Sequence, residues 1–256
     1  MIFIQILMLF SLLLHPAQLK NPSGGLQQSF ELALEASHLG DWIGALTLWD
    51  IVVAEAPDDA AAWSNRGNVR LALGDIEGAI RDQNEAINLD PSAADPHLNR
   101  GTAREALQQW SEAAADYGWI LERDPDDASA LYNLGNVRNS QGEWLQARVL
   151  YQRAAEARPG FAMARSSGAL ANYQLGNLTE AEQELRNLIR RYPMFADARA
   201  ALSGLLWHQG AMGEAESHWA SVMGLDPRYR DAAWLLAVRR WPPRPTDDLS
   251  RFLALK

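Results

Sequence analysis

Histidine is the side chain in this sequence that best suits both metal ligation and proton transfer near neutral pH, and it stands at His15, His38, His97, His208 and His218. None of these follows another by three or four residues, the spacing that sets two imidazoles on one helix face. No His-Glu-x-x-His motif, nucleophile elbow or glycine-rich phosphate loop after a strand is present. His208 and His218 are ten residues apart and fall on opposite helices of one hairpin. The absence of cysteine removes disulfides, thiolate catalysis and thiolate metal sites. The sequence therefore implies no catalytic residue, no metal and no cofactor. Asn177-Leu178-Thr179 matches a glycosylation sequon, which has meaning only in a eukaryotic secretory protein. Asparagine is the residue whose spacing carries chemistry. Asn65, Asn99 and Asn133 recur at intervals of 34, and Asn68 and Asn136 follow the first and third by three. Each such pair shares one helix face. A side-chain amide both donates and accepts, so it matches the N–H and carbonyl of a peptide group. The alternative role for these amides is a bond to neighbouring groups across a hairpin interface.

Positioning such columns requires a repeat, and the punctuation of the chain supplies it. Prolines stand at 57, 91, 125, 159, 193 and 227, always 34 apart. At average proline usage, five further coincidences have a probability on the order of 10⁻⁷. Ala45, Ala79, Ala113, Ala147, Ala181 and Ala215 keep the same interval. Gly40, Gly74, Gly142, Gly176 and Gly210 fall five residues before an alanine, with Gln108 as the exception. A third column is small throughout: Gly67, Gly101, Gly135, Ala169 and Ser203. A bulky residue, Trp49, Tyr117, Tyr151, Leu185 or Trp219, comes four after the alanine, with Gln83 breaking the pattern. Small residues on two helices allow close backbone approach, and the bulky residue fills the space beside them. The turn glycine suits a positive φ at the end of a first helix, and proline stops the second.

These residues resemble the tetratricopeptide-repeat family. Its pattern is carried best by Trp63-Ser64-Asn65-Arg66-Gly67 through Ala79 to Pro91, and by Leu131-Tyr132-Asn133-Leu134-Gly135 through Ala147 to Pro159. The resemblance covers six units, 26–59, 60–93, 94–127, 128–161, 162–195 and 196–229. It implies an all-α, right-handed superhelical solenoid of helix-turn-helix units. In this family the first helix of each unit lines an inner groove. The ligand-facing positions here hold polar Ser64, Asn65, Asn68, Asn99, Thr102, Glu105, Tyr132, Asn133, Asn136 and Asn139. An apolar end follows at Leu170, Tyr173 and Trp207. The basic clamp with which some relatives grip a terminal carboxylate is replaced by Ser64, Leu98, Asp95 and Ser129. The sixth-position asparagines instead resemble the ladder other relatives hold against an extended backbone. Peptide-binding residues are thus expected at Asn65, Asn68, Asn99, Tyr132, Asn133, Asn136, Leu170, Tyr173 and Trp207. The repeats and the Arg-Arg-Trp-Pro-Pro tail look like cyanobacterial and plastid members.

Two further columns switch together. Arg66 with Asp82 and Arg100 with Asp116 stand where other units carry Leu32 with Leu48 and Leu134 with Leu150. The covariation predicts that the two positions meet across the hairpin. After Pro227, Asp231–Val238 reads as a capping helix, Trp241–Pro245 as extended chain, and Thr246 onward as a last helix with Leu249, Phe252 and Leu253 on one face. Residues 230–256 are therefore expected to be a cap and tail, and residues 1–25 a separate leader. Within that leader, Ile2–Leu14 is apolar apart from Gln5 and Ser11, the length of a signal-peptide core. It predicts export (periplasm or thylakoid lumen) or membrane association through residues 2–14, with a cytoplasmic location as the alternative.

The chain is 48% hydrophobic and 21% charged, the make-up of a folded protein. Its net charge is −9, although residues 228–256 hold seven basic against three acidic side chains. An acidic body argues against a nucleic-acid partner. The expected function is a non-catalytic scaffold for a protein or peptide client, in the manner of an assembly or maturation factor. The alternatives are a targeting subunit of an enzyme complex or a self-assembling structural protein.

Overall fold

The computed structural model describes residues 24–255, and every regular element among them is helical. The Ile2–Leu14 segment lies outside the described residues. The chain divides into two compact units, one ending at Pro125 and the other beginning at Asp126.

In the first unit three hairpins follow one another: α1 Gly24–Leu39 with α2 Trp42–Glu55, α3 Ala60–Leu73 with α4 Ile76–Leu89, and α5 Ala94–Ala106 with α6 Trp110–Leu121. The second unit repeats the pattern with α7 Ala128–Ser140 and α8 Trp144–Ala157, α9 Ala162–Leu175 and α10 Leu178–Arg191, and α11 Ala196–His208 and α12 Met212–Leu225. A 3₁₀ turn Pro227–Arg230, the short α13 Ala232–Ala237 and α14 Pro243–Leu253 complete it. Within each unit a helix packs on its hairpin partner and on the next hairpin, and first helices adjoin as well.

Local chemistry explains these boundaries. Asp41, Asp75, Asp59 and Asp127 cap α2, α4, α3 and α7 by accepting from otherwise unpaired backbone N–H groups. Gly40, Gly74, Gly142, Gly176 and Gly210 all have positive φ, between 75° and 89°. Gln108 takes the same left-handed turn, with φ 57°, although it has a Cβ. The small column permits the close approach the sequence predicts. A Cβ on Gly101 would lie 2.5 Å from Tyr117 Cε1, and one on Gly135 would lie 2.7 Å from Tyr151 Cε1. At Gly67 the neighbour is Gln83 Nε2, at 2.7 Å. Gln83, the odd member of the bulky column, fills the same space with an amide.

The tail departs from the sequence expectation. α14 begins at Pro243, three residues before Thr246, so Pro243-Arg244-Pro245 is helical and not extended. The first turn of a helix has N–H groups without intrahelical acceptors, so proline costs no hydrogen bond there. Leu249 and Phe252 are fully buried, as their shared face predicts, and Leu253 is half-buried. The capping segment Asp231–Val238 forms only six helical residues, and α14 carries the larger apolar contact, on α11 and α9.

Candidate functional site

In the first unit, α3, α4 and α5 bring a buried polar network together. Gln83 Nε2 donates to the Ser64 carbonyl (2.9 Å) and to Asn68 Oδ1 (3.1 Å), while Ser64 Oγ donates to Gln83 Oε1 (2.9 Å). Asn99 Nδ2 reaches Ser64 Oγ of the preceding hairpin at 3.4 Å. Asn65, Asn68 and Asn99 are all buried. Asn68 and Asn99 thus bond to neighbouring hairpin groups, as the alternative role of these amides requires. The amide nitrogens Asn65 Nδ2 and Asn68 Nδ2, however, find no hydrogen-bond partner among the described residues.

The paired columns of arginine and aspartate do meet. Arg66 grips Asp82 with two hydrogen bonds of 2.9 and 2.8 Å, and Arg100 grips Asp116 in the same way. Each arginine also reaches back to the preceding hairpin, Arg66 to Asp50 (3.0 Å) and Arg100 to Asn84 (2.7 Å). A second arginine joins each carboxylate, Arg70 on Asp82 at 2.8 Å and Arg104 on Asp116 at 2.7 Å. His97 Nδ1 lies 3.1 Å from Asp116, with its ring stacked on Trp119. Burial lowers the His97 pKa, and Asp116 only partly opposes it. These contacts tie hairpin to hairpin and commit Asp82 and Asp116 to ion pairs.

In the second unit, Tyr132 packs against Tyr151 and Phe161, and Asn136 Oδ1 accepts from Tyr151 Oη at 2.9 Å. Asn133 is half-buried. Leu170 and Tyr173 are buried in the core that contains Leu249 and Phe252, and Trp207 packs on that core. The apolar end expected to be open to a client is therefore covered by the chain's own α14. Tyr173 Oη donates to Asp248 at 2.9 Å, and burial with the nearby Asp248 charge pushes its pKa up.

Asp197 was not visible as a site in the sequence, yet it organises the tail. Its Oδ1 accepts from Tyr229 Oη (2.9 Å), Arg239 Nη2 (2.7 Å) and Trp241 Nε1 (3.1 Å), and its Oδ2 from Ser166 Oγ (2.5 Å). Burial pushes this carboxyl up, but the Arg239 charge and the donated hydrogen bonds outweigh it and hold it below its ordinary range. The available signal was a basic, tryptophan-bearing tail following an acidic body.

His208 and His218 serve separate partners, His208 beside Asp248 (3.2 Å) and His218 beside Glu214 (3.7 Å). Among the described residues no group of three or more His, Asp or Glu side chains could hold a metal, and no helix is long and apolar enough to cross a membrane.

A tetratricopeptide-repeat profile matches residues 98–162 and 167–229, and a second TPR repeat profile matches residues 67–108. No curated protein matches significantly. Among solved structures, PilW, a type IV pilus biogenesis factor, is similar at TM-score 0.71 and 21% identity, covering 80% of this chain and 96% of its own. YrrB, described as a TPR protein with an unusual peptide-binding site, has TM-score 0.55 and 21% identity over 75% and 97% of the two chains. A tetratricopeptide repeat protein from Parabacteroides merdae gives TM-score 0.64 and 16% identity over 91% and 100%.

Proposed function

The chain belongs to the tetratricopeptide-repeat family, a protein-interaction scaffold, and from that premise we propose that its first unit holds an extended client peptide against α3 and α5. The observation that carries this reading is the pair of unpartnered amide donors on α3, Asn65 Nδ2 and Asn68 Nδ2. A buried donor without an acceptor costs about 1–3 kcal/mol, and native proteins rarely leave one without cause. Side chains three apart on a helix are neighbours, about 5–6 Å between Cβ atoms. Both nitrogens are buried in the free chain, so a client is met by turning the two amides outward, toward an extended peptide that presents carbonyls on one side about every 7 Å. Recognition of main-chain groups tolerates varied client sequences, which suits an assembly or maturation factor. The apolar segment Ile2–Leu14 extends the proposal to an exported or membrane-associated protein. Fractionation that finds the full-length chain only in the cytosol would remove that part.

The test is Asn65→Leu, which keeps the branching at Cγ and cannot donate. Because it removes an unmet donor, its melting temperature should equal or exceed that of the wild type. Proteins recovered with the full chain from its own host, quantified by mass spectrometry, should fall about fivefold or more. A folded variant that retains the same proteins at wild-type levels would overturn the reading.

A further inference from the structure

In the second unit the ligand-facing positions Leu170, Tyr173 and Trp207 are already covered by the tail. The chain leaves α13, passes Asp197 through Arg239 and Trp241, and lays α14 across α9 and α11. We propose that α9 and α11 form a binding site for an amphipathic helix that presents one carboxylate beside its apolar face, and that α14 is its resident, displaceable occupant. This rests on the peptide-scaffold reading above but concerns other hairpins.

The mode of contact is that of a ligand more than of a lid. A cap needs only apolar cover, whereas here side-chain amides read main-chain groups of the tail. Asn139 Nδ2 donates to the Arg240 carbonyl and Gln174 Oε1 accepts from the Arg244 N–H, both at 2.8 Å. Such bonds would form with any chain laid along the same path. Side-chain selection is added by Asp248, which meets Tyr173 Oη at 2.9 Å and His208 Nδ1 at 3.2 Å. Leu249 settles against Gly204, where a Cβ would lie 3.1 Å from the Leu249 nitrogen. Phe252 is fully buried and meets Trp219 edge-on, ring centroids 6.4 Å apart. The site therefore specifies a carboxylate, the next residue leucine, and an aromatic three further on.

Covalent tethering explains how a replaceable helix can be fully docked. A short tether holds its ligand at an effective concentration on the order of millimolar, so little intrinsic affinity suffices. Arg240, at the join between the Asp197 anchor and α14, has φ 55°, a left-handed backbone unusual for a residue with a Cβ. The route into the site is thus imposed on the chain locally, and α14 can leave while Arg239 and Trp241 remain anchored. A client helix with the same three features competes by mass action.

The experiment uses the full chain carrying Leu249→Asp, which ejects α14 without altering α9 or α11, and a fluorescein-labelled peptide of residues 242–256 as probe. Anisotropy should show saturable binding to Leu249→Asp at least tenfold tighter than to the wild type. Adding Tyr173→Phe should weaken it about fivefold, and adding Gly204→Leu should abolish it. A folded Leu249→Asp protein that does not bind the peptide, or binds it no better than the wild type does, overturns the proposal. If circular dichroism shows that Leu249→Asp is unfolded, hydrogen exchange of the wild type decides. Exchange of α14 amides at least tenfold faster than those of α9 and α11 supports it, and equal rates overturn it. Neither readout involves Asn65, so this result and the client-retention result fail independently.

Discussion

At the scale of single residues, Asp82 and Asp116 hold arginines across the hairpin at positions where other units carry leucine in the sequence. Asp82 is 1% exposed and faces two guanidinium groups, Arg66 and Arg70. Replacing it with alanine leaves Arg66 with only the half-exposed Asp50 and Arg70 with only Asp75 at 3.8 Å, and urea unfolding should show a loss of about 3 kcal/mol. The double change Arg66→Leu with Asp82→Leu, copying Leu134 and Leu150, should restore more than half of that loss. If the double variant is no more stable than Asp82→Ala, the charge pair is not the source of the penalty. The Arg66–Asp82 contact was legible because both columns change character together. The second arginine is legible in the same way, since Arg70 and Arg104 keep the interval of 34. The unpartnered donors of Asn65 and Asn68 were not legible, because a missing acceptor depends on what surrounds the amide and not on its spacing.

At the scale of elements, the 34-residue punctuation fixed nearly every boundary, because each signal is a local backbone effect. Proline stops α2, α4, α8, α10 and α12 two residues before it stands. The exceptions are informative. Gln108 replaces the turn glycine yet keeps φ 57°. A residue with a Cβ loses about 1–2 kcal/mol in that conformation, and glycine gives part of this back as unfolded-state entropy. Gln108→Gly should therefore stabilise the α5–α6 hairpin by about 0.5–1 kcal/mol. A lower midpoint in thermal unfolding would contradict this. The reverse experiment is Gly101→Ala. Its new Cβ meets the Tyr117 ring, which is fully buried and cannot withdraw. Overpacking of this kind costs about 1–3 kcal/mol, read as a lowered urea midpoint. The start of α14 is not legible in the sequence, because the prolines that exclude a helix interior are the same residues a first turn accepts.

At the scale of the whole molecule, the repeat period describes contacts between residues a few tens apart and is silent about an aperiodic tail. The bonds that seat the tail join Asn139 to Arg240, Tyr173 to Asp248 and Asp197 to Arg239, and nothing in the spacing of the chain announces them. Their hub, Asp197, has its carboxyl held below the ordinary range. A carboxyl with a lower pKa folded than unfolded binds protons more readily once the protein unfolds. Its stabilisation is therefore complete above the unfolded value, about 3.9, and is lost as pH falls through the folded value. Asp197→Asn keeps the shape and removes the charge, leaving Arg239, 9% exposed in its side chain, without a counter-ion. The expected loss at pH 7 is about 3–5 kcal/mol, measured by urea unfolding followed by far-ultraviolet circular dichroism. Below about pH 4 the wild type should lose stability more steeply than the variant, because only the wild type has this proton to take up on unfolding. The gap between the two curves should narrow progressively toward pH 2.5. A gap that stays constant across that range would mean that the Asp197 charge contributes nothing, and that the tail is held by Leu249, Phe252 and Trp241 alone.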